Sequence, residues 1–440
     1  MNLSALPETP GPMSGKRAPH RLIAREYLVP FLLVTALFFL WGIPNNLNDV
    51  LIRQFMKSFE ITRFKAGLVQ SAFYMGYFLL SMPAALVMRR YGYKAGLVTG
   101  LFLYAAGTWL FWPAAMVGQY GFFLMALFVI ASGLAFLETG ANSFIAQLGD
   151  SESSERRLNF SQAFNPFGAI SGALIGTVFI FSGIELKPAQ VAVMKMNGTW
   201  QPYLHHETMR VITPYLVLGA VVFLWALLIL RARFPKVAGE TTSHAAAEHG
   251  RFRDLFRYPH FILAVVAQFF YVGAQVGTWS YFIQYVQDYT HQPEKVAGYF
   301  LSGTLVAFGV GRFSATWIMQ FIRPNVLMGT YSVINVLLVA IGVMFPGWVG
   351  LWAVFLTSFF MSLMFPTIFA LGLKGLGPNT KIGGSLIVMA IIGGAVFTPL
   401  MGLVAVHSMA MAMLIPLGCY AFIAYYGFAG SRLGLARQAE

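Results

Sequence analysis

Charge is scarce in this 440-residue chain: 16 Asp and Glu with 29 Lys and Arg make up 10% of it, against roughly 25% in a typical soluble domain. That excludes an ordinary water-soluble surface. Cysteine is scarcer still. Cys419 stands alone, so no intrachain disulfide can form. No Gly-x4-Gly-Lys-Ser/Thr loop occurs, which argues against a primary ATPase. No Asp-rich run suited to magnesium is present. None of the eight His falls at the middle of an apolar stretch, which argues against a histidine proton relay or haem ligation. The chain is expected to be no enzyme and to hold no cofactor and no metal.

What is abundant is apolar. Hydrophobic residues make up 58% and the mean hydropathy is +0.67. Twelve apolar stretches, at 27–51, 65–88, 93–115, 119–147, 158–183, 209–232, 258–287, 295–321, 325–346, 349–374, 381–405 and 409–430, are each long enough to cross about 30 Å of hydrocarbon as a helix. Barrel-type alternation is absent, so the spans are helices. An even number of spans puts both ends on one side. That side carries twenty Lys and Arg against eight on the other, with Arg312 inside a span. The bias predicts a multi-pass membrane protein with both termini cytoplasmic. The net charge of +13 then orients the chain against the anionic headgroups of the lipid bilayer, and no nucleic acid is implied. Residues 1–26 are polar and basic with no cleavable apolar core, so the first span is read as retained and not as a signal peptide.

The longest polar interior stretch, 233–257, divides the spans six and six. The expected organisation is a cytoplasmic tail (1–26), a six-helix half (27–232), a cytoplasmic linker (233–257), a second half (258–430) and a tail (431–440). The halves resemble each other. An offset of 231 carries Ala66-Gly67 and Ser71 onto Ala297-Gly298 and Ser302, Phe38-Phe39 onto Phe269-Phe270, and Gly42 onto Gly273. An offset of 227 carries Leu127-Phe128 onto Val354-Phe355 and Glu138 onto Phe365. The fold class is therefore all-α integral membrane, with twelve transmembrane helices in two pseudo-symmetric six-helix halves. In that architecture a solute site lies between the halves near the midplane.

Only two of the sixteen carboxylates, Asp49 and Glu138, sit inside long apolar stretches, where an acid costs at least about 2.5–3.5 kcal/mol by insertion scales. Both have amides one helical turn away: Asn45 and Asn46 before Asp49, Asn142 after Glu138. The arrangement points to a path for protons and a polar solute, with a solvated cap near the headgroups as the alternative for Asp49 and an interhelical tie for Glu138. Gly42 and Pro44 are expected to loosen the first span, which would free backbone groups for polar neighbours. Asn159, Gln162 and Asn165 form a polar stripe before Pro166. Gln268, Tyr271, Gln275 and Trp279 form another in the seventh span. Amides can merely join helices. With aromatic rings beside them they also suit a sugar, whose C–H face stacks while its hydroxyls bond. The basic turn with Arg89 and Arg90, and Arg312 in the eighth span, read either as positive-inside anchors or as a gate bridging helix ends. With two membrane carboxylates and no ATPase motif, an ion gradient, protons in particular, is the expected energy source.

These residues carry a family resemblance. Phe38 to Asp49, Gln70-Ser71-Ala72-Phe73-Tyr74, Leu137-Glu138-Thr139, Gln162-Ala163-Phe164-Asn165, Tyr271-Val272-Gly273-Ala274-Gln275, Trp279-Ser280-Tyr281 and Pro366-Thr367-Ile368-Phe369 through Pro399 resemble the fucose–proton symporters of the major facilitator superfamily, over about 27–430. The resemblance implies alternating access and proton-coupled uptake of a monosaccharide. Glu138, where glucose/galactose carriers tend to have Gln, resembles the fucose branch together with Trp279. On this resemblance Glu138 and Asp49 couple to protons, and Asn46, Gln162 and Asn165 line the cavity. Asn45, Asn142, Gln275, Trp279 and Phe365 complete the expected sugar site. Members of this type usually act as monomers. The chain departs from the pattern at Met364-Phe365, where the branch usually has Gln-Tyr, and at Pro44. A hexose or amino-sugar carrier of the same family and a non-transporting sugar sensor are the alternative readings.

Overall fold

The computed structural model of the chain describes residues 27–148, 157, 160–235, 252–319, 321–376 and 379–433. Among them are twelve helices long and apolar enough to cross a membrane. Span 1 is Leu28–Phe59, span 2 Arg63–Met88, span 3 Arg90–Val117, span 4 Tyr120–Ile145, span 5 Phe160–Ile180 and span 6 Trp200–Arg231. Span 7 is Pro259–Thr290, span 8 Glu294–Ile318, span 9 Pro324–Met344, span 10 Trp348–Leu373, span 11 Leu386–Val404 and span 12 Met409–Arg432. Spans 1–6 and 7–12 form the two halves, which meet where span 1 packs on span 7, span 2 on span 11 and span 5 on span 8. The first tail, 1–26, residues 236–251 of the linker and residues 434–440 of the second tail lie outside the described residues. With twelve crossings the described chain begins and ends at one face, called here the terminal face; the other is the opposite face.

Several boundaries differ from those read in the sequence. Span 1 runs to Phe59, beyond the expected residue 51, because Ile52, Phe55 and neighbouring side chains remain buried past Asp49. The alternative of Asp49 as a headgroup cap is thereby removed: it lies ten residues inside the helix, 2% exposed. Pro44 does not loosen span 1, which stays helical throughout. Proline leaves the carbonyl four residues earlier without its donor, and the Tyr104 hydroxyl supplies one, donating to the Leu40 carbonyl at 3.0 Å. Span 6 starts at Trp200 and is built of two helices, Trp200–Met209 and Ile212–Arg231. A short helix, Pro188–Met196, occupies what reads as loop. The basic turn between spans 2 and 3 closes at Gly92 with φ +84°, a conformation that favours glycine.

Small residues let the helices approach closely. Gly168 and Gly172 of span 5 lie against the carbonyls of Phe39 and Ile43 in span 1, and Gly42 lies against Gly168, with no room for a Cβ at any of the three. In the second half Gly393 meets the Phe269 carbonyl in the same way. Backbones this close gain dispersion contacts that lipid cannot supply. Spans 5, 10 and 11 are interrupted partway, at Ala163–Phe164, Ser362–Leu363 and Ala390–Ile392. Broken helices at membrane depth are tolerated where they line a cavity.

The Tyr104 bond gives a direct test. Tyr104→Phe leaves a buried carbonyl without a donor and is expected to cost about 1–3 kcal/mol, lowering the midpoint of thermal unfolding in detergent. The same change at exposed Tyr425 should leave the midpoint where it is.

Candidate functional site

A cavity of about 200 Å³ lies between the halves, lined by spans 1, 2, 4 and 5 on one side and 7, 8, 10 and 11 on the other. Each half contributes a different chemistry. The first-half wall carries Asn45, Asn46, Asp49, Gln70, Glu138, Asn142, Gln162 and Asn165. The second-half wall is mostly apolar and aromatic, with Tyr271, Val272, Val276, Trp279, Leu305, Phe308, Phe365 and Ile391, and only Gln275 and Arg312 as longer polar groups.

Asp49 is the best-connected group. Its Oδ2 accepts from Asn46 Nδ2 at 3.2 Å. Its Oδ1 accepts from Gln70 Nε2 at 2.8 Å and from Ser280 Oγ at 2.9 Å. Gln70 Nε2 also donates to Ser280 Oγ at 3.0 Å, so the single Ser280 proton is directed at Asp49. Three helices, from both halves, thus converge on one buried carboxylate. A buried acid surrounded by donors avoids most of the cost of leaving water.

Glu138 sits deeper in span 4, partly open to the cavity. Asn142, one turn on, donates to the Glu138 carbonyl at 2.9 Å, and its Oδ1 accepts from Gln162 Nε2 of span 5 at 3.2 Å. Asn165 Nδ2 donates to the Phe38 carbonyl at 3.3 Å. Trp279 is fixed by Nε1 donating to Ser358 Oγ at 2.9 Å, with Phe308 edge-on at 5.2 Å between centroids. Phe365 stands edge-on to Tyr271 at 6.2 Å.

The structure therefore brings Asn45, Asn46, Asp49, Glu138, Asn142, Gln162, Asn165, Gln275, Trp279 and Phe365 to one cavity. Arg312 lies elsewhere than a gate at helix ends would require. It lines the same cavity, its guanidinium 5.4 Å from the Phe308 ring centre, because it lies six residues inside span 8. Arg90 is exposed at the terminal face over the Tyr91 ring. The Arg89 side chain and Asn159 lie outside the described residues. Gln268 is buried off the cavity, and Asn48 faces span 6, where it accepts from Tyr215 at 3.5 Å. Sequence reasoning missed Gln70, Tyr74 and Tyr77 as cavity residues. Their 4-3 spacing along span 2 puts them on one face, a signal present in the sequence. Among the described residues no group of three or more His, Cys, Asp and Glu is placed to hold a metal ion.

Gln70→Leu removes a donor shared by Asp49 and Ser280. It is expected to lower stability by about 1–3 kcal/mol, read as a lower unfolding midpoint in detergent, whereas Gln275→Leu, which makes no protein hydrogen bond among the described residues, should change it little.

Comparison with known proteins agrees with this geometry. A family model described as Major Facilitator Superfamily matches residues 30–396. The chain is 45% identical over 407 residues to the L-fucose-proton symporter of Escherichia coli K12, covering 91% of this chain and 92% of that protein. It is 34% identical over 429 residues to the L-fucose-proton symporter of Haemophilus influenzae Rd, covering 93% and 98%. The crystal structure of FucP, a Major Facilitator Superfamily transporter, in the outward conformation superposes with a TM-score of 0.69 at 44% identity, covering 92% of this chain and 99% of that one. The chain belongs to the major facilitator superfamily and, within it, to the family of the fucose–proton symporters.

Proposed function

We propose that the chain is a proton-coupled importer of L-fucose, set in a bacterial inner membrane with both termini cytoplasmic and working as a monomer. The observation that carries this reading is one cavity between the halves holding two carboxylates, Asp49 and Glu138, in a chain 45% identical to an L-fucose-proton symporter. A neutral sugar needs neutral donors and acceptors. Asn45, Asn46, Asn142, Gln162 and Asn165 offer both for ring hydroxyls, and Gln275 adds an amide from the other side. Trp279 and Phe365 present apolar rings to the C–H face and the 6-methyl group of a deoxy sugar. Phe365 has no hydroxyl, so that part of the wall favours the methyl over a hydroxymethyl.

The positive-inside bias assigns the terminal face to the cytoplasm. The polar contacts between halves cluster toward the opposite face, where Arg63 pairs with Asp288 and Lys57 with Glu294. The conformation is then closed to the outside. The cycle runs from an outward-open state in which Asp49 and Glu138 receive protons and the sugar binds, through rocking of the halves, to release of sugar and proton inside. Arg89 and Arg90 at the terminal face suit a contact that forms when that face closes. Arg312 acts from the cavity wall.

Uptake of labelled L-fucose into proteoliposomes tests this. An inward proton gradient should drive accumulation that unlabelled L-fucose blocks and D-glucose, D-galactose and N-acetylglucosamine do not. Glu138→Gln should abolish accumulation against a gradient while leaving sugar exchange. Uphill transport by that variant at the wild-type level would remove Glu138 from coupling.

A further inference from the structure

A cluster of charge lies away from the cavity, where spans 1 and 2 meet spans 7 and 8 at the opposite face. Lys57, near the end of span 1, is 3.2 Å from Glu294, the first residue of span 8. Arg63, the first residue of span 2, pairs with Asp288 near the end of span 7. Both pairs join the two halves.

The 231-residue offset that relates the halves carries Lys57 onto Asp288 and Arg63 onto Glu294. Lys57–Glu294 and Arg63–Asp288 are therefore the same contact made twice, once on each side of the internal two-fold axis, with the signs inverted. A faithful duplication would set Lys and Arg against each other at both places, and like charges this close repel. The inversion makes the two halves complementary: cations on the first, acids on the second. The same offset carries Asp49 onto Ser280, and these two residues hydrogen-bond each other. That bond lies close to the axis, about two helical turns further from the opposite face than the ion pairs, which flank the axis.

The surroundings suit contacts that can part. Lys57 also meets Glu207 of its own half at 3.0 Å and donates to Ser182 Oγ at 3.0 Å, so it keeps a counter-charge if Glu294 withdraws. Glu294 is 1% exposed and depends on the first half for its cations, Lys57 and, at 4.0 Å, Arg53. Its place at a helix N-terminus also favours an anion. Arg63 and Asp288 are 22% and 32% exposed, so water takes over their solvation readily.

We propose that these two sign-inverted ion pairs form a gate that closes the opposite face in this conformation, and that both part when that face opens. The proposal takes from the preceding section only that the faces open in turn.

The test is thiol labelling of detergent-purified protein in which Cys419 is replaced by Ser and Gln284 by Cys. Gln284 is 1% exposed at the interface, 3.6 Å from Met56 of the other half, so maleimide reaches it only when the gate opens. Asp288→Asn should speed labelling about fivefold, as for a part-exposed pair, and Glu294→Gln at least about tenfold, because its acid is buried. The two together should exceed either. Exchanging charges with Arg63→Asp and Asp288→Arg should return labelling to the starting rate; Lys57 is unsuited to exchange because Glu207 adjoins it. Met56→Cys in place of Gln284→Cys serves as a second reporter. Unchanged labelling in both isosteric variants, or an exchanged pair that labels as fast as the neutralised one, would overturn the gate. Labelling needs neither sugar nor proton gradient, so a responsive gate in a protein that fails to carry L-fucose would sink the transport reading and leave the gate standing.

Discussion

The hydrogen bond from Ser280 to Asp49 crosses from one half of the molecule to the other, and the rest of the structure is organised around what that bond requires. A carboxylate this deep in an apolar bundle is tolerated only with donors around it. Two come from its own half, Asn46 and Gln70, and the third from the other. Separating the halves removes the third donor, and Gln70 loses its contact with Ser280 as well. Water or a proton has to make up the loss. The solvation of Asp49 is therefore coupled to the relative position of the halves, and the proposed role of Asp49 as a proton site rests on that coupling.

That coupling needs halves that move as units. Glycine seams supply the stiffness: span 5 rests directly on the backbone of span 1, and span 11 on that of span 7. Helices whose backbones pack at such short range do not deform gradually, which favours displacement between the halves over displacement within them. At the interface between the halves, close contacts such as Gly67 on Pro399 and Gly298 on Thr177 are joined by hydrogen bonds and ion pairs that water can replace. The discontinuous stretches of spans 5, 10 and 11 lie beside the cavity, where freed backbone groups can meet solute or water.

The class of protein, the twelve spans and the division into halves were legible because hydrocarbon imposes a length and a composition that few other environments do. Asp49 and Glu138 were legible for the same reason in reverse, as charges where apolar residues are the rule. Amides a turn away from them followed from helical spacing. The extension of span 1 to Phe59 was obscured because Arg53 and Lys57 look like the end of a span, whereas protein surrounds them on several sides. Pro44 looked like a break because the donor that compensates it, Tyr104, is 60 residues away in sequence. Arg312 read as part of a helix-end gate because hydropathy gives the existence of a span but not which side faces a cavity. Gln70, Tyr74 and Tyr77 were available from spacing, but a single amide among aromatics reads as packing until a carboxylate is found beside it. The sign inversion of the ion pairs was present in the sequence as four residues at a constant offset, and only the contact between spans gives that offset a meaning.

The most direct test of this account is the distance between spin labels placed across the opposite face, at Lys65→Cys of the first half and His407→Cys of the second in a chain lacking Cys419. Both positions are exposed and neither belongs to the cavity or to the ion pairs. The account predicts two distance populations, the shorter one matching the closed face seen here, with L-fucose and pH shifting the balance between them. A single short distance that neither sugar nor pH alters would contradict it.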